Sequence, residues 1–158
     1  MEEKKYLVSK IREGTVIDHI PAGKVAIVLK LLNLGQNTKL ITATNVDSGK
    51  YGKKDFVKVE GKNLNIKEIN LVSLIAPSST INIIEDWEVK EKIKVKLPEV
   101  VKNILVCPNS NCIVNSERET IDTKFNVINS DILDRISFQC NYCDTIINYK
   151  ELSNYLKI

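Results

Sequence analysis

The chain has 158 residues, 43% hydrophobic and 27% charged, an ordinary globular balance with room for one domain or two small ones. No apolar run is long enough to span a bilayer, the N-terminal Met-Glu-Glu-Lys-Lys-Tyr lacks the apolar run of a secretory signal, and a formal net charge of +3 is too small to indicate a nucleic-acid binder. These features set the expectation of a cytoplasmic protein with neither membrane nor nucleic-acid partners. Residues 1–96 hold 17 basic against 12 acidic side chains, and 97–158 hold 6 against 8, so only the first part is suited to a small anionic ligand.

In chain order, Tyr6 to Ile11 is a short candidate strand, and Thr15 to Ile20 a second, halted by Pro21. A helix is expected over Ala22 to Leu34, because Val25, Val28, Leu29 and Leu32 form one apolar stripe, with Gly35 placed to end it. The β-branched run Lys39 to Asn45, the turn signal Asp47-Ser48-Gly49 and the run Lys54 to Glu60 predict an antiparallel hairpin. A second helix is expected from Ile66 to Ala76, with Asn65 and Glu68 as a capping box and Pro77 as the stop. Thr80 to Ile84 is another strand. From Trp87 to Leu97 the alternation has period two: Trp87, Val89, Ile93, Val95 and Leu97 share one face and the lysines fill the other.

The order strand, helix, strand, strand, helix, strand, with an extra strand at each end, predicts an α+β, ferredoxin-like αβ sandwich with an antiparallel sheet. A boundary near Lys96-Leu97-Pro98-Glu99 divides the chain into 1–97 and 98–158. The second part carries strand-like runs at Ile104–Val106, Lys124–Ile128, Arg135–Gln139 and Thr145–Tyr149, then a short helix at Lys150–Leu156. It is expected to be a small, mostly-β zinc-ribbon (rubredoxin-like) domain.

All four cysteines lie in that part, as Cys107-Pro-Asn-Ser-Asn-Cys112 and Cys140-Asn-Tyr-Cys143. Two tight turns with two thiolates each make a four-sulfur tetrahedron, the preferred site of one structural zinc per chain. Two disulfides are the alternative, less suited to a cytosolic chain, and iron is the rival metal. With every ligand position filled by protein, the site has no place for substrate. The remaining sequence lacks phosphate-loop and nucleophile-elbow patterns, and its one histidine, His19, follows Asp18. A regular strand would put those two on opposite faces, so catalysis is not expected. A binding module with a metal-stabilised second domain fits better. A zinc ribbon that binds nucleic acid is the rival class, opposed by the acidic metal half.

Arg12-Glu13-Gly14-Thr15-Val16-Ile17-Asp18-His19-Ile20-Pro21-Ala22 and Leu105-Val106-Cys107-Pro108-Asn109-Ser110-Asn111-Cys112-Ile113 together resemble the regulatory chain of aspartate carbamoyltransferase. Tyr51-Gly52-Lys53-Lys54-Asp55 and Ala76-Pro77-Ser78-Ser79-Thr80-Ile81-Asn82 fit the same family. The resemblance implies a non-catalytic, allosteric subunit of a pyrimidine-biosynthesis enzyme. Its N-terminal domain would bind the inhibitor CTP and the activator ATP, and its zinc domain would dock on the catalytic chain. Regulatory homodimers, three of them, would bridge two catalytic trimers. The family's effector site would fall on Lys5, Val8, Ile11, Val16, Asp18, His19, Phe56, Lys58, Asn82, Ile84, Trp87, Val89 and Lys92. Trp87 stands where the best-known members carry Tyr, and the stretch between the cysteine pairs is a few residues longer.

Overall fold

A computed structural model describes residues 10–49 and 52–157. The chain divides into two compact units, Met1–Lys96 and Leu97–Ile158. Among the described residues no helix is long and apolar enough to cross a membrane.

The first unit runs β1 (Gly14–Pro21), α1 (Val25–Leu32), β2 (Leu40–Ser48), β3 (Gly52–Glu60), α2 (Ile66–Ile75), β4 (Thr80–Glu85) and β5 (Glu88–Lys94). The strands form one antiparallel sheet in the order β2-β3-β1-β4-β5. This is the split βαβ arrangement with a fifth strand added beside β4. Of the expected first strand, Tyr6 to Ser9 lie outside the described residues, and Lys10 and Ile11 are not in a strand.

Alternation along the central strands makes two faces. Ile17, Val57 and Ile81 are in register with one another and fully buried, on the side where α1 presents Val25, Val28, Leu31 and Leu32 and α2 presents Val72, Leu74 and Ile75. Each such side chain contributes on the order of 1.5–3 kcal/mol when fully buried, which is how two short helices stay on the sheet. The capping box on α2 is present: the Glu68 N–H donates to Asn65 Oδ1 at 3.0 Å, and the Asn65 N–H donates to Glu68 Oε2 at 2.8 Å. The first helix spans its apolar stripe, Val25–Leu32, and is shorter than the expected Ala22 to Leu34. It stops at Asn33, in the left-handed region at φ 46, rather than at Gly35. Asparagine tolerates that conformation and leaves the Asn33 N–H to close on Leu29 O.

Three register shifts interrupt the sheet. In β1, Asp18 and His19 together stand opposite the single step through Phe56. In β2, Thr44 and Asn45 stand opposite Asp55. In β5, Lys90 is extra. Each is a β-bulge, and each reverses the alternation beyond it. The last one corrects the expectation for Trp87 and Val89. They do not share the buried face of Ile93 and Val95: the bulge turns Val89 to the side of Lys92, and both Trp87 and Val89 are 57% exposed.

The second unit is a four-stranded antiparallel sheet, β6 (Val100–Lys102), β7 (Lys124–Ile128), β8 (Ser137–Cys140) and β9 (Ile146–Asn148), with tight 3-10 turns at Ile113–Asn115, Leu133–Arg135 and Tyr149–Tyr155. The first strand falls at Val100–Lys102 rather than at Ile104–Val106. Asn103, at φ 57, ends it, and Leu105 makes only an isolated bridge to Leu156. Phe125, Phe138, Ile147, Leu152 and Leu105 are fully buried, a thin core of the kind that a bound metal commonly supplements.

Candidate functional site

Among the described residues no helix packs on the face of the first sheet opposite α1 and α2, where side chains run from buried Ile84 to exposed Lys92. One lateral row crosses it, Lys58 on β3, Val16 on β1, Asn82 on β4 and Lys92 on β5, each in register with the next. At strand spacings of about 4.8 Å the two lysines are about 14 Å apart at their backbones. The next row on one side is Gly14, Ile84 and Val89; on the other it is Asp18, Thr80 and Lys94.

The bulge in β1 brings Asp18 and His19 together. Ile17 and Ile20 are both fully buried, so the two residues between them share the helix-free side, contrary to the regular-strand expectation. His19 takes φ 59, and its N–H donates to Asp18 Oδ1 at 2.7 Å. Its Nδ1 lies 3.9 Å from Asp18 Oδ2, while Lys54 Nζ stands 2.8 Å from Asp18 Oδ1. Lys58 Nζ sits 6.0 Å from the centre of the Phe56 ring. Burial lowers the Lys58 ammonium below the usual lysine range, Asp18 opposes that shift and Lys10 adds to it. Lysine, histidine and carboxylate therefore converge on one patch, with Ile84 and Val89 at its apolar end.

Of the residues expected at an effector site, Val16, Asp18, His19, Phe56, Lys58, Asn82, Ile84, Val89 and Lys92 share this face. Trp87 lies in the β4–β5 turn at its end, with its N–H donating to Arg12 O at 3.0 Å. Ile11 is buried just ahead of β1. Lys5 and Val8 lie outside the described residues.

One residue that shapes the site escaped the sequence reading. Asp55 is fully buried on the helix side of β3. Its Oδ1 accepts from the Asn45 N–H of the β2 bulge at 2.7 Å, and its Oδ2 from the Val25 N–H that opens α1 at 3.0 Å. No side chain at Lys24 caps that helix, so the carboxylate supplies the negative end that the helix N-terminus favours. Its signal was present: Asp55, Val57 and Val59 share one phase of a strand, and an acid at an apolar position needs a partner.

In the second unit the sulfurs of Cys107, Cys112, Cys140 and Cys143 all lie within 4.8 Å of one another. Cys107 and Cys143 are 3.5 Å apart, Cys112 and Cys140 3.8 Å. A metal with thiolate bonds of about 2.3 Å puts its sulfurs about 3.8 Å apart in a tetrahedron, whereas a disulfide needs about 2.05 Å. Three cysteines also meet the backbone N–H two residues on: Asn109 for Cys107, Val114 for Cys112 and Thr145 for Cys143. Those N–H groups favour thiolate, the form that binds metal. Asn115 Nδ2 braces the first turn by donating to Cys107 O at 3.0 Å and Asn109 O at 2.7 Å. Burial pushes the Cys107 and Cys112 thiols up. The hydroxyl of Thr145, 3.2 Å from Cys143, leads the effects that bring that thiol down to about 6. The donor set fits a metal ion with no open coordination position.

Two family profiles match. The profile for the allosteric domain of the aspartate carbamoyltransferase regulatory chain covers residues 6–96, and that for its metal binding domain covers 99–153. The regulatory chain of Archaeoglobus fulgidus is 48% identical over 155 residues, 97% of this chain and 99% of the relative. That of Caldivirga maquilingensis is 46% identical over 157 residues, 99% and 94%. That of Pyrococcus abyssi is 48% identical over 148 residues, 92% and 94%. With both units matched and nearly the full length shared, this chain belongs to the aspartate carbamoyltransferase regulatory chain family, as a non-catalytic subunit with an allosteric and a metal-binding domain.

Proposed function

We propose that residues 1–97 bind CTP as inhibitor and ATP as activator on the helix-free sheet face, and that residues 98–158, held by one zinc, dock on the catalytic chain in the cytoplasm. The observation that carries this reading is the row Lys58–Val16–Asn82–Lys92 with Asp18 and His19 beside it. Lys58, Lys92 and His19 are charge-assisted donors for a triphosphate, and Lys5 joins them. Asp18 accepts from a ribose hydroxyl. Val8, Ile11, Val16, Ile84 and Val89 wall the base, with Phe56 beneath Lys58 and Asn82 between the two lysines.

The metal is taken as zinc because a closed four-cysteine cluster with a structural role is its usual site; a four-thiolate tetrahedron also suits iron, and elemental analysis separates the two. Val106, Ile113, Tyr142 and Ile146, each next to or between cysteines of the cluster or a few residues from it, are exposed, an apolar surface suited to a protein partner. Two such chains pair through their N-terminal domains, and three pairs join two catalytic trimers.

The regulation is then a coupling free energy between distant sites, typically about 1–3 kcal/mol or roughly 5–150-fold. The test is to combine the purified chain with its catalytic trimer and assay carbamoyl transfer with and without each nucleotide. CTP should lower and ATP raise the rate at subsaturating substrate. A complex that assembles and ignores both nucleotides would overturn the effector assignment, and failure to assemble would overturn the docking assignment.

A further inference from the structure

We infer that Asn129 is a site of spontaneous covalent modification, where attack by the Ser130 backbone nitrogen expels the side-chain amide and leaves a carboxylate. The chain has sixteen asparagines. Thirteen are followed by Leu, Ile, Val, Thr, Tyr or Cys, whose side chains crowd the nitrogen that would have to attack. Serine follows the other three, Asn109, Asn115 and Asn129. Their sequence context does not separate them, and their surroundings in the fold do.

Ring closure needs a side chain folded toward the next backbone nitrogen, a main-chain carbonyl free to swing as ψ changes, and contact with water. Asn109 lacks the free carbonyl. That oxygen accepts from the Cys112 N–H at 3.0 Å and from Asn115 Nδ2 at 2.7 Å, and its Oδ1 is turned to the Asn111 N–H at 3.0 Å. Asn115 lacks the folded side chain. Its Nδ2 is held by Cys107 O and Asn109 O, and the attacking nitrogen is engaged too, because the Ser116 N–H donates to Ile113 O at 3.1 Å. Asn129 meets all three conditions. It is exposed, in the link between β7 and β8 and outside any strand or helix. The Ser130 N–H lies 2.8 Å from Asn129 Oδ1, so the nitrogen stands beside the amide carbon that carries this oxygen. Among the described residues, neither the Asn129 carbonyl nor its Nδ2 has a hydrogen-bond partner.

The reaction consumes only water. The Ser130 N–H gives its proton to solvent, the nitrogen bonds to Asn129 Cγ, and the Cγ–Nδ2 bond breaks with release of ammonia. The cyclic imide then takes up water at one carbonyl or the other. One opening leaves aspartate at 129. The other leaves isoaspartate, with the side-chain methylene now part of the main chain. Either product adds a negative charge close in sequence to Asp131 and Asp134, in a part of the chain that already carries 8 acidic against 6 basic side chains. Ile128 and Ile132, 42% and 50% exposed, flank the site in sequence, so the new charge enters an apolar stretch of surface.

The experiment incubates the full, metal-loaded chain in mildly alkaline buffer and maps each asparagine by peptide mass spectrometry. A second sample is held unfolded in urea with a chelator and a reductant. In the folded protein Asn129 should gain the mass that replacing NH2 by OH gives, as a mixture of aspartate and isoaspartate, while Asn109 and Asn115 stay intact. In the unfolded chain all three should convert at similar rates, because only the fold distinguishes them. On ion exchange the folded protein should move toward the more acidic position of Asn129→Asp. Asn129→Gln should abolish that shift and Ser130→Ile should slow it, the first because a longer side chain closes a less favourable ring, the second by crowding the nitrogen. Folded protein in which Asn109 or Asn115 converts as fast as Asn129 would overturn the inference. So would an Asn129 left intact in the folded protein over the period in which the unfolded chain converts.

Discussion

Replacing Asp55 with Ala tests the account of how the first unit is held together. The carboxylate accepts two backbone N–H bonds, at 2.7 and 3.0 Å, from a side chain with no exposed surface. Hydrogen bonds to charged groups contribute about 1.5–3 kcal/mol each, and a buried N–H left without a partner costs about 1–3 kcal/mol. These figures describe overlapping losses, so a total of about 3–5 kcal/mol is the appropriate scale. For a domain of this size about 3 kcal/mol lowers Tm by roughly 12 °C or more. Asp55→Asn should cost less, about 2 kcal/mol, because one amide oxygen still accepts while the NH2 faces a second donor. The sharper measurement is amide hydrogen exchange. The N–H groups of Val25 and Asn45 should lose protection in both variants, before the rest of β3 does. An Asp55→Ala protein within about 1 kcal/mol of wild type, with those two amides still protected, would refute the role assigned to the carboxylate.

Lys58→Ala should weaken ATP and CTP together, by roughly tenfold as for one charge-assisted contact, measured by calorimetry. Because burial lowers the Lys58 ammonium, nucleotide affinity should decline as pH rises through a range below that of ordinary lysines, and Lys58→Arg should remove that alkaline decline. Elemental analysis should give one zinc per chain; chelation or Cys112→Ser should collapse the amide protection of residues 97–158, since structural zinc contributes about 10–16 kcal/mol in small domains. A metal-free protein that keeps that protection would contradict the structural role. Gly14→Ala should destabilise by about 3 kcal/mol or more in urea unfolding, because Gly14 has φ 139 and an added Cβ would overlap the Val59 carbonyl oxygen.

What the sequence made legible was local. Asn65 and Glu68 lie within one helical turn, and their box formed as read. The cysteine pairs each close a short loop, and the sulfurs met. From β1 to β5 the order of strands and helices followed from period and punctuation, and with it the topology of the first sheet. The three bulges were not legible, since an extra residue is recognised only against the partner strand. That one omission explains why Asp18 and His19 were expected on opposite faces and Val89 on the buried one. Asn33 ended α1 ahead of Gly35 because asparagine, like glycine, can take the left-handed conformation that stops a helix. Asp55 was overlooked because its two partners come from β2 and α1, ten and thirty residues away.

The alternation of β1 and β3 has a bearing on how such chains diverge. Ile17, Val57 and Ile81 answer only to the helices, whereas Val16, Lys58 and Asn82, their immediate neighbours in sequence, answer only to what lies on the other side. A change in one set leaves the packing of the other intact, although the two are interleaved residue by residue. On the proposed effector reading, ligand preference can therefore change without the scaffold having to be repaired at each step. The same separation suits redesign: on the proposed effector reading, a library confined to Val16, Lys58, Asn82, Val89 and Lys92 varies recognition while the helix-facing residues stay as they are.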